Sequence, residues 1–343
     1  MTNKENKNDI KSSTNTQKKL SDLGVYKLAE HLQNIINEDE LSISEDAILL
    51  DDKKSVLSSV SMLEGINFDL TYMPMKHIGY KIVTAALMDI LAKNAIPKYI
   101  MLEFAFSNKF DLEITEELCL GINIACKHNN IKALQVKTSP AVVGLNIYAT
   151  AVGETQHYVG RYTANENDLV CTTGDLGAAY AGLLLLEREK AEFLANPNMQ
   201  PHLEGHDYVL QRYIKPETRL KVIQYFQEQN IVPTSMIVNS AGLATAVVQL
   251  CKASKKGCMI YDEKLPVEHK TTDVLESFNI HATTGVLSGG DDYELLFTVS
   301  QNDYDKIKDN DKIKVIGHIT EVATGTMLVP MNGPLIPIKV QGL

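Results

Sequence analysis

Over residues 76–94 the apolar side chains Ile78, Ile82, Val83, Ala86, Leu87, Ile90 and Leu91 fall on one broad face of a 3.6-residue period. A helix of that length with so wide an apolar face must be covered on most sides, so it predicts a sheet for it to lie against. Pro97 ends the helical pattern, and residues 99–106 follow as a strand. Around this unit the alternation is regular. Residues 23–36 read as a helix, and 47–50 and 55–60 as short strands. Asp111 is placed to cap a helix running to about His128, and 131–136 and 145–152 read as strands. The first half is therefore β-β-α-β-α-β-β.

The second half repeats the rhythm without repeating the sequence. Strands are expected at 169–173, 235–238, 257–261, 293–299 and 314–319. Helices are expected at 178–190, 240–253 and 216–229, the last with Pro216 at its start, where a missing N–H costs nothing. Residues 174–177 form a tight turn and 196–205 a loop. The polar stretch 153–168 is the expected hinge between a first domain at 20–152 and a second at 169–343. Residues 1–19 hold almost nothing to bury and read as a disordered tail.

Bulk properties exclude several classes. With 343 residues, two domains are the natural expectation, and 44% hydrophobic residues supply their cores. A formal net charge of −10 argues against nucleic acid as a partner, because phosphate backbones are held by clustered Lys and Arg. Cys119, Cys126, Cys171, Cys251 and Cys258 contain no C-x-x-C pair, which leaves reduced thiols rather than disulfides or structural zinc. Neither a secretory leader nor an apolar run of the ~20 residues needed for a membrane span is visible, so a cytoplasmic protein with no membrane contact is expected.

Several segments are distinctive in order and spacing. They are Met62-Leu-Glu-Gly-Ile-Asn-Phe68, Met88-Asp-Ile-Leu-Ala-Lys-Asn-Ala-Ile-Pro97, Asn167-Asp-Leu-Val170, Thr173-Gly-Asp-Leu-Gly177, Pro197-Asn-Met-Gln-Pro201, Lys215-Pro-Glu217 and Ser288-Gly-Gly-Asp-Asp-Tyr-Glu-Leu-Leu-Phe297. Over about residues 20–340 the chain resembles the thiamine-monophosphate kinase family of the aminoimidazole-ribonucleotide-synthetase-like superfamily. The resemblance implies a two-domain fold. An α/β N-terminal domain would dimerise through its sheet, and an α+β C-terminal domain would pack behind it. It also implies ATP and thiamine phosphate as ligands, Mg2+ as cofactor, and thiamine diphosphate as product. No G-x-x-x-x-G-K-[ST] loop is present, so acids that hold magnesium would carry the charge neutralisation that phosphoryl transfer needs.

Against that family pattern, acids are missing. The Gly-Asp-Asp-Ala loop reads Ser44-Glu45-Asp46-Ala47. Four metal positions are occupied by Val60, Lys137, Val238 and Ala241, and a family His by Asn67. Glu45, Asp46 and Asp89 remain as metal candidates, against the alternative that Glu45 and Asp46 are plain loop acids and Asp89 a structural one. Lys137, Thr138, Arg161, Gly174, Gly177 and Ser240 are nucleotide or phosphate candidates. Asn67, Asp291, Asp292 and Glu294 are substrate-side candidates. The turn at 174–177 precedes a helix N-terminus, a natural anion site, although a strand-turn-helix needs small residues in any case. A lysine facing a divalent ion at ~4 Å feels a repulsion about twice the ~4 kcal/mol between two unit charges at an effective dielectric near 20. The usual magnesium cluster is therefore not expected to form, which puts magnesium and ATP binding here in question, while Lys137 could neutralise phosphate directly. The sequence favours a catalytically impaired relative, acting as a binder, a homodimer, or a heterodimer subunit beside an active paralogue. The alternative is an active kinase with a rewired site.

Overall fold

A computed structural model describes residues 20–36, 45–341 and 343. The tail assigned to residues 1–19 and Ser44 of the first acidic loop lie outside the described residues. Two units are separable: residues 1–44 with 341–343, and residues 45–340. In the smaller unit, α1 (Leu20–Ile36) is interrupted at Gly24, whose φ of 72° breaks the helical run.

In the larger unit the elements run as follows. The first part is β1 (Ala47–Leu49), β2 (Ser55–Leu63), α2 (Met75–Leu91), β3 (Ile96–Phe106), α3 (Leu112–His128), β4 (Lys132–Pro140) and β5 (Leu145–Glu154). The order is the expected β-β-α-β-α-β-β. The chain continues through β6 (Leu169–Thr173), α4 (Ala178–Ala195), α5 (Asp207–Ile214), α6 (Leu220–Glu228), β7 (Ser235–Asn239), α7 (Leu243–Ser254) and β8 (Gly257–Tyr261). It ends with α8 (His269–Ser277), α9 (Ala282–Ser288), β9 (Glu294–Val299), α10 (Tyr304–Ile307), β10 (Ile313–Thr320), β11 (Thr326–Val329) and β12 (Ile336–Pro337).

Two sheets result. The first has strand order β1-β2-β5-β3-β4, antiparallel except between β3 and β4. The second has order β12-β11-β8-β10-β6-β9-β7, antiparallel except between β11 and β8. This mixed architecture with two sheets agrees with the expected α/β plus α+β fold. Helix α2 is buried almost all round: Ile78, Ile82, Val83, Ala86, Leu87, Ile90 and Leu91 are inaccessible to water and join a core containing β2, β3 and β5 residues. Gly79 and Gly121 let α2 and α3 approach until a Cβ on either would collide with the other's backbone. At the opposite edge from β1, every residue of β4 is exposed.

Local differences from the sequence expectation have identifiable causes. Pro97 does not stand between helix and strand; it lies inside β3 opposite Gly153, and the ladder shifts register between Pro97 and Tyr99 because proline has no N–H to give. The helix has already ended at Leu91, and Asn94 turns the chain with a φ of 52°. Residues 216–219 are not helical: the Pro216 carbonyl accepts Thr84 Oγ1 and the Arg219 N–H reaches Met88 Sδ, so the segment is tied to α2 and the helix starts at Leu220. Helices α5, α8 and α9 were not legible; the last spans Ala282–Ser288, too short to show a period. Residues 153–168 carry the chain from the first sheet to the second with Val159, Arg161 and Ala164 buried.

Candidate functional site

Two clusters gather most of the predicted residues. The first lies over β1 and β2. Ser58 on β2 bonds the Asp46 carbonyl at 3.1 Å and Asp89 Oδ2 at 2.8 Å, which joins the loop before β1 to the buried helix α2. Glu45, Asp46 and Asp89 therefore do converge. They do not converge alone. Lys93 Nζ donates to Glu45 Oε2, Arg161 Nε lies 3.3 Å from the same oxygen, and the Arg161 backbone N–H takes Glu45 Oε1 at 2.9 Å. Arg161 reaches Asp46 Oδ1 at 2.8 Å and Gln249 at 2.9 Å. Arg161, read from sequence as a nucleotide or phosphate candidate, is buried and spent on these acids. Burial, and then the neighbouring Asp46 charge, push the Asp89 carboxyl above its ordinary range.

This arrangement does not fit a divalent ion. Magnesium takes six oxygens in near-octahedral geometry. Here both Glu45 oxygens are used, one Asp46 oxygen is used, and Asp89 shares its Oδ2 with Ser58. Asp46 Oδ2 is buried without a hydrogen-bond partner. Glu45 and Asp46 are balanced by Lys93 and Arg161, and Asp89, pushed up to about 8, is largely protonated near neutral pH. Among the described residues no three His, Cys, Asp or Glu side chains form a group suited to a metal ion.

The second cluster is built on the turn 174–177 and the loop before β9. The Gly177 N–H and the Ala179 N–H at the start of α4 bond Asp292 at 2.8 and 3.2 Å. The helix N-terminus assigned to a phosphate thus holds the chain's own carboxylate. Burial raises Asp292 to about 7, against the pull of Arg212 and these two N–H groups. Gly174, with a φ of 58°, sits so close to the Glu294 carboxylate that a Cβ would collide with it. Glu294 is fully buried, accepts Thr173 Oγ1 at 2.5 Å, and pairs with Arg212 at 2.8 Å and with Arg219. Although burial alone would raise it, the Arg219 and Arg212 charges hold its carboxyl below the usual range. Asp291 pairs with Lys81 at 2.9 Å, and the same ammonium sits 3.9 Å from the Tyr213 ring centre. The Ser240 carbonyl accepts the Asp291 N–H at 2.8 Å, so Ser240, Gly174, Gly177 and Asp291 to Glu294 share one neighbourhood.

Other predicted residues fall elsewhere. Lys137 and Thr138 lie on β4, separated from β1 by three strands, or about 19 Å across the sheet. Within one chain Lys137 therefore does not face the residual acids, contrary to the expected repulsion at close range. Asn67 closes the turn after β2 by accepting the Leu63 N–H at 3.0 Å. Val60 is half-buried on β2, Val238 is buried on β7, and Ala241 is exposed. Sequence reasoning missed Lys81, Lys93, Arg212 and Arg219. For the two lysines a signal existed: each interrupts a buried apolar stretch, and a buried lysine requires a fixed acid.

Residues 44–155 match the family described as AIR synthase related protein, N-terminal domain. Thiamine-monophosphate kinase from Aquifex aeolicus is 26% identical over 282 residues, covering 82% of this chain and 87% of that protein. Its namesake from Bacillus subtilis is 27% identical over 274 residues, covering 78% and 80%. The solved structure described as AaThiL complexed with AMPPCP and TMP superposes with a TM-score of 0.80 at 23% identity, covering 94% of this chain and 98% of that one. Over about four fifths of its length the chain is similar to thiamine-monophosphate kinases. It carries an AIR-synthase-like two-sheet frame, and its Glu45 and Asp46 are paired with internal cations. No helix among the described residues is long and apolar enough to cross a membrane.

Proposed function

We propose that this protein is a thiamine-monophosphate kinase relative that keeps the frame for ATP and thiamine phosphate while its phosphoryl transfer is impaired or lost. The observation that carries the reading is the pairing of Glu45 with Lys93 and Arg161, and of Asp46 with Arg161. Catalysis in this class is positioning plus neutralisation of phosphate charge. Here the acids that would hold a neutralising metal are consumed by internal ion pairs, and Val60, Lys137, Val238 and Ala241 supply no carboxylate. No catalytic step through magnesium is derived, because the residues present do not fit it. Exposed Lys137 and Thr138 on β4 remain available as direct phosphate contacts. In this reading the protein works in the cytoplasm, in a dimer formed through the first sheet, with itself or with an active paralogue.

The test is incubation of the purified protein with ATP, magnesium and thiamine phosphate, with thiamine diphosphate as the readout. Little or no product is expected. Turnover at the rate of an active relative sinks the proposal in favour of a rewired active kinase. Restoring Asp together at Val60, Lys137, Val238 and Ala241 should raise turnover if lost charge is the cause. Val238 is buried, so its aspartate is tolerated only with a counterion beside it.

A further inference from the structure

The acids at this cluster invite a divalent ion, yet both Glu45 oxygens and one Asp46 oxygen are already taken by Lys93 and Arg161. Lys93 is fully buried, which an ammonium tolerates only beside a fixed acid. Its backbone is held from two sides: its N–H bonds the Ile90 carbonyl at 3.0 Å, and its carbonyl receives the Val159 N–H at 3.3 Å. The side chain ends on Glu45 Oε2, the same oxygen approached by Arg161 Nε. Arg161 is fixed in turn by Asp46, Gln249 and its backbone bond to Glu45.

We infer that Lys93 is a resident cation that stands in for a divalent ion at Glu45, Asp46 and Asp89, and that it makes this donor set refuse magnesium and manganese. The inference deepens the proposed function and rests on its reading of these acids. A metal ion entering here must displace an ammonium that has no other acceptor, or share an oxygen with it. With both cations in place Glu45 and Asp46 are each paired with a cation, and one Asp46 oxygen is left without a partner. Lys93 thereby determines which cation the site holds: one fixed at folding rather than one drawn from solution.

Thermal melting of the full chain with and without millimolar Mn2+ reads this directly. The wild-type melting temperature should not move. Lys93→Met and Lys93→Gln should melt lower without metal and rise by about 5 °C at saturating Mn2+, because a ligand that binds only the folded state stabilises it by mass action. Lys93→Gln keeps a donor toward Glu45 and covers the case in which Lys93→Met does not fold. A wild-type melting temperature raised by Mn2+ and returned to baseline by Glu45→Gln overturns the inference, and this arm needs no Lys93 variant. Folded Lys93 variants that ignore Mn2+ overturn it as well. Thiamine diphosphate formation with an unmoved wild-type melting temperature defeats the proposed function and supports the stand-in role of Lys93.

Discussion

Lys81 of α2 and Asp291 of the loop before β9 meet at 2.9 Å although 210 residues separate them. The pair is lopsided: the Lys81 side chain is 1% exposed and that of Asp291 30%. Removing either partner is therefore not equivalent. Asp291→Ala leaves a buried ammonium with the Tyr213 ring and no carboxylate, and should cost about 3 kcal/mol. Lys81→Met leaves an acid that reaches water and should cost about 1 kcal/mol. Denaturant unfolding of both variants checks the order.

Glu294 holds two arginines, so Glu294→Gln strands two guanidinium groups in the interior. A loss of about 3–5 kcal/mol is expected, among the largest for any single substitution in this chain. The same carboxylate gives an acid limit. Its folded pKa lies below the ordinary 4.5, so its contribution is complete above that value and is lost as pH falls through the folded pKa. Acid titration of the melting temperature should show a descending limb below about pH 4.5 that Glu294→Gln lacks.

Asp292 acts in the opposite sense. Its pKa rises from 3.8 to about 7 on folding, so the native state holds a proton that the unfolded chain has released. The unfolded state then binds fewer protons in this window, and stability falls as pH rises from about 4 to 7. Asp292→Asn, which can still accept the Gly177 N–H, should flatten that decline. A wild-type profile parallel to the variant's across the window contradicts the assignment.

Gly174→Ala puts a methyl group against the Glu294 carboxylate at a φ of 58°. It should cost well over the ~1 kcal/mol of an ordinary left-handed alanine. Gly65→Ala, at φ 80° with no atom within 4 Å of the new methyl, meets only the backbone penalty. Comparing the two melting temperatures separates collision from conformational strain.

The sequence carried the strand and helix order of the first half because α2 displays its apolar face in full and turn residues punctuate the strands. It was silent on α5, an eight-residue helix holding Arg212 and Tyr213, because two turns give no readable period. The acids of the site were visible as motif residues. Their cations were not. Lys93 lies 48 residues from Glu45, and Arg212 lies 82 from Glu294. A one-dimensional pattern gives no sign of which charge a distant loop will bring. Gly174 and Gly177 were legible as a turn, but the occupant of the helix N-terminus, Asp292, was fixed only by the fold.

The outer edge of β4 has one more consequence. Leu134 and Val136 are 59% and 57% exposed on a nine-residue strand with a neighbour on one side only. Open ladders of that kind recruit stray strands and seed aggregates. Lys132, Lys137 and Pro140 are the residues that blunt such an edge, by charge and by a missing donor. Lys137 thus also guards the solubility of the molecule, and neutralising it invites self-association before it alters any chemistry.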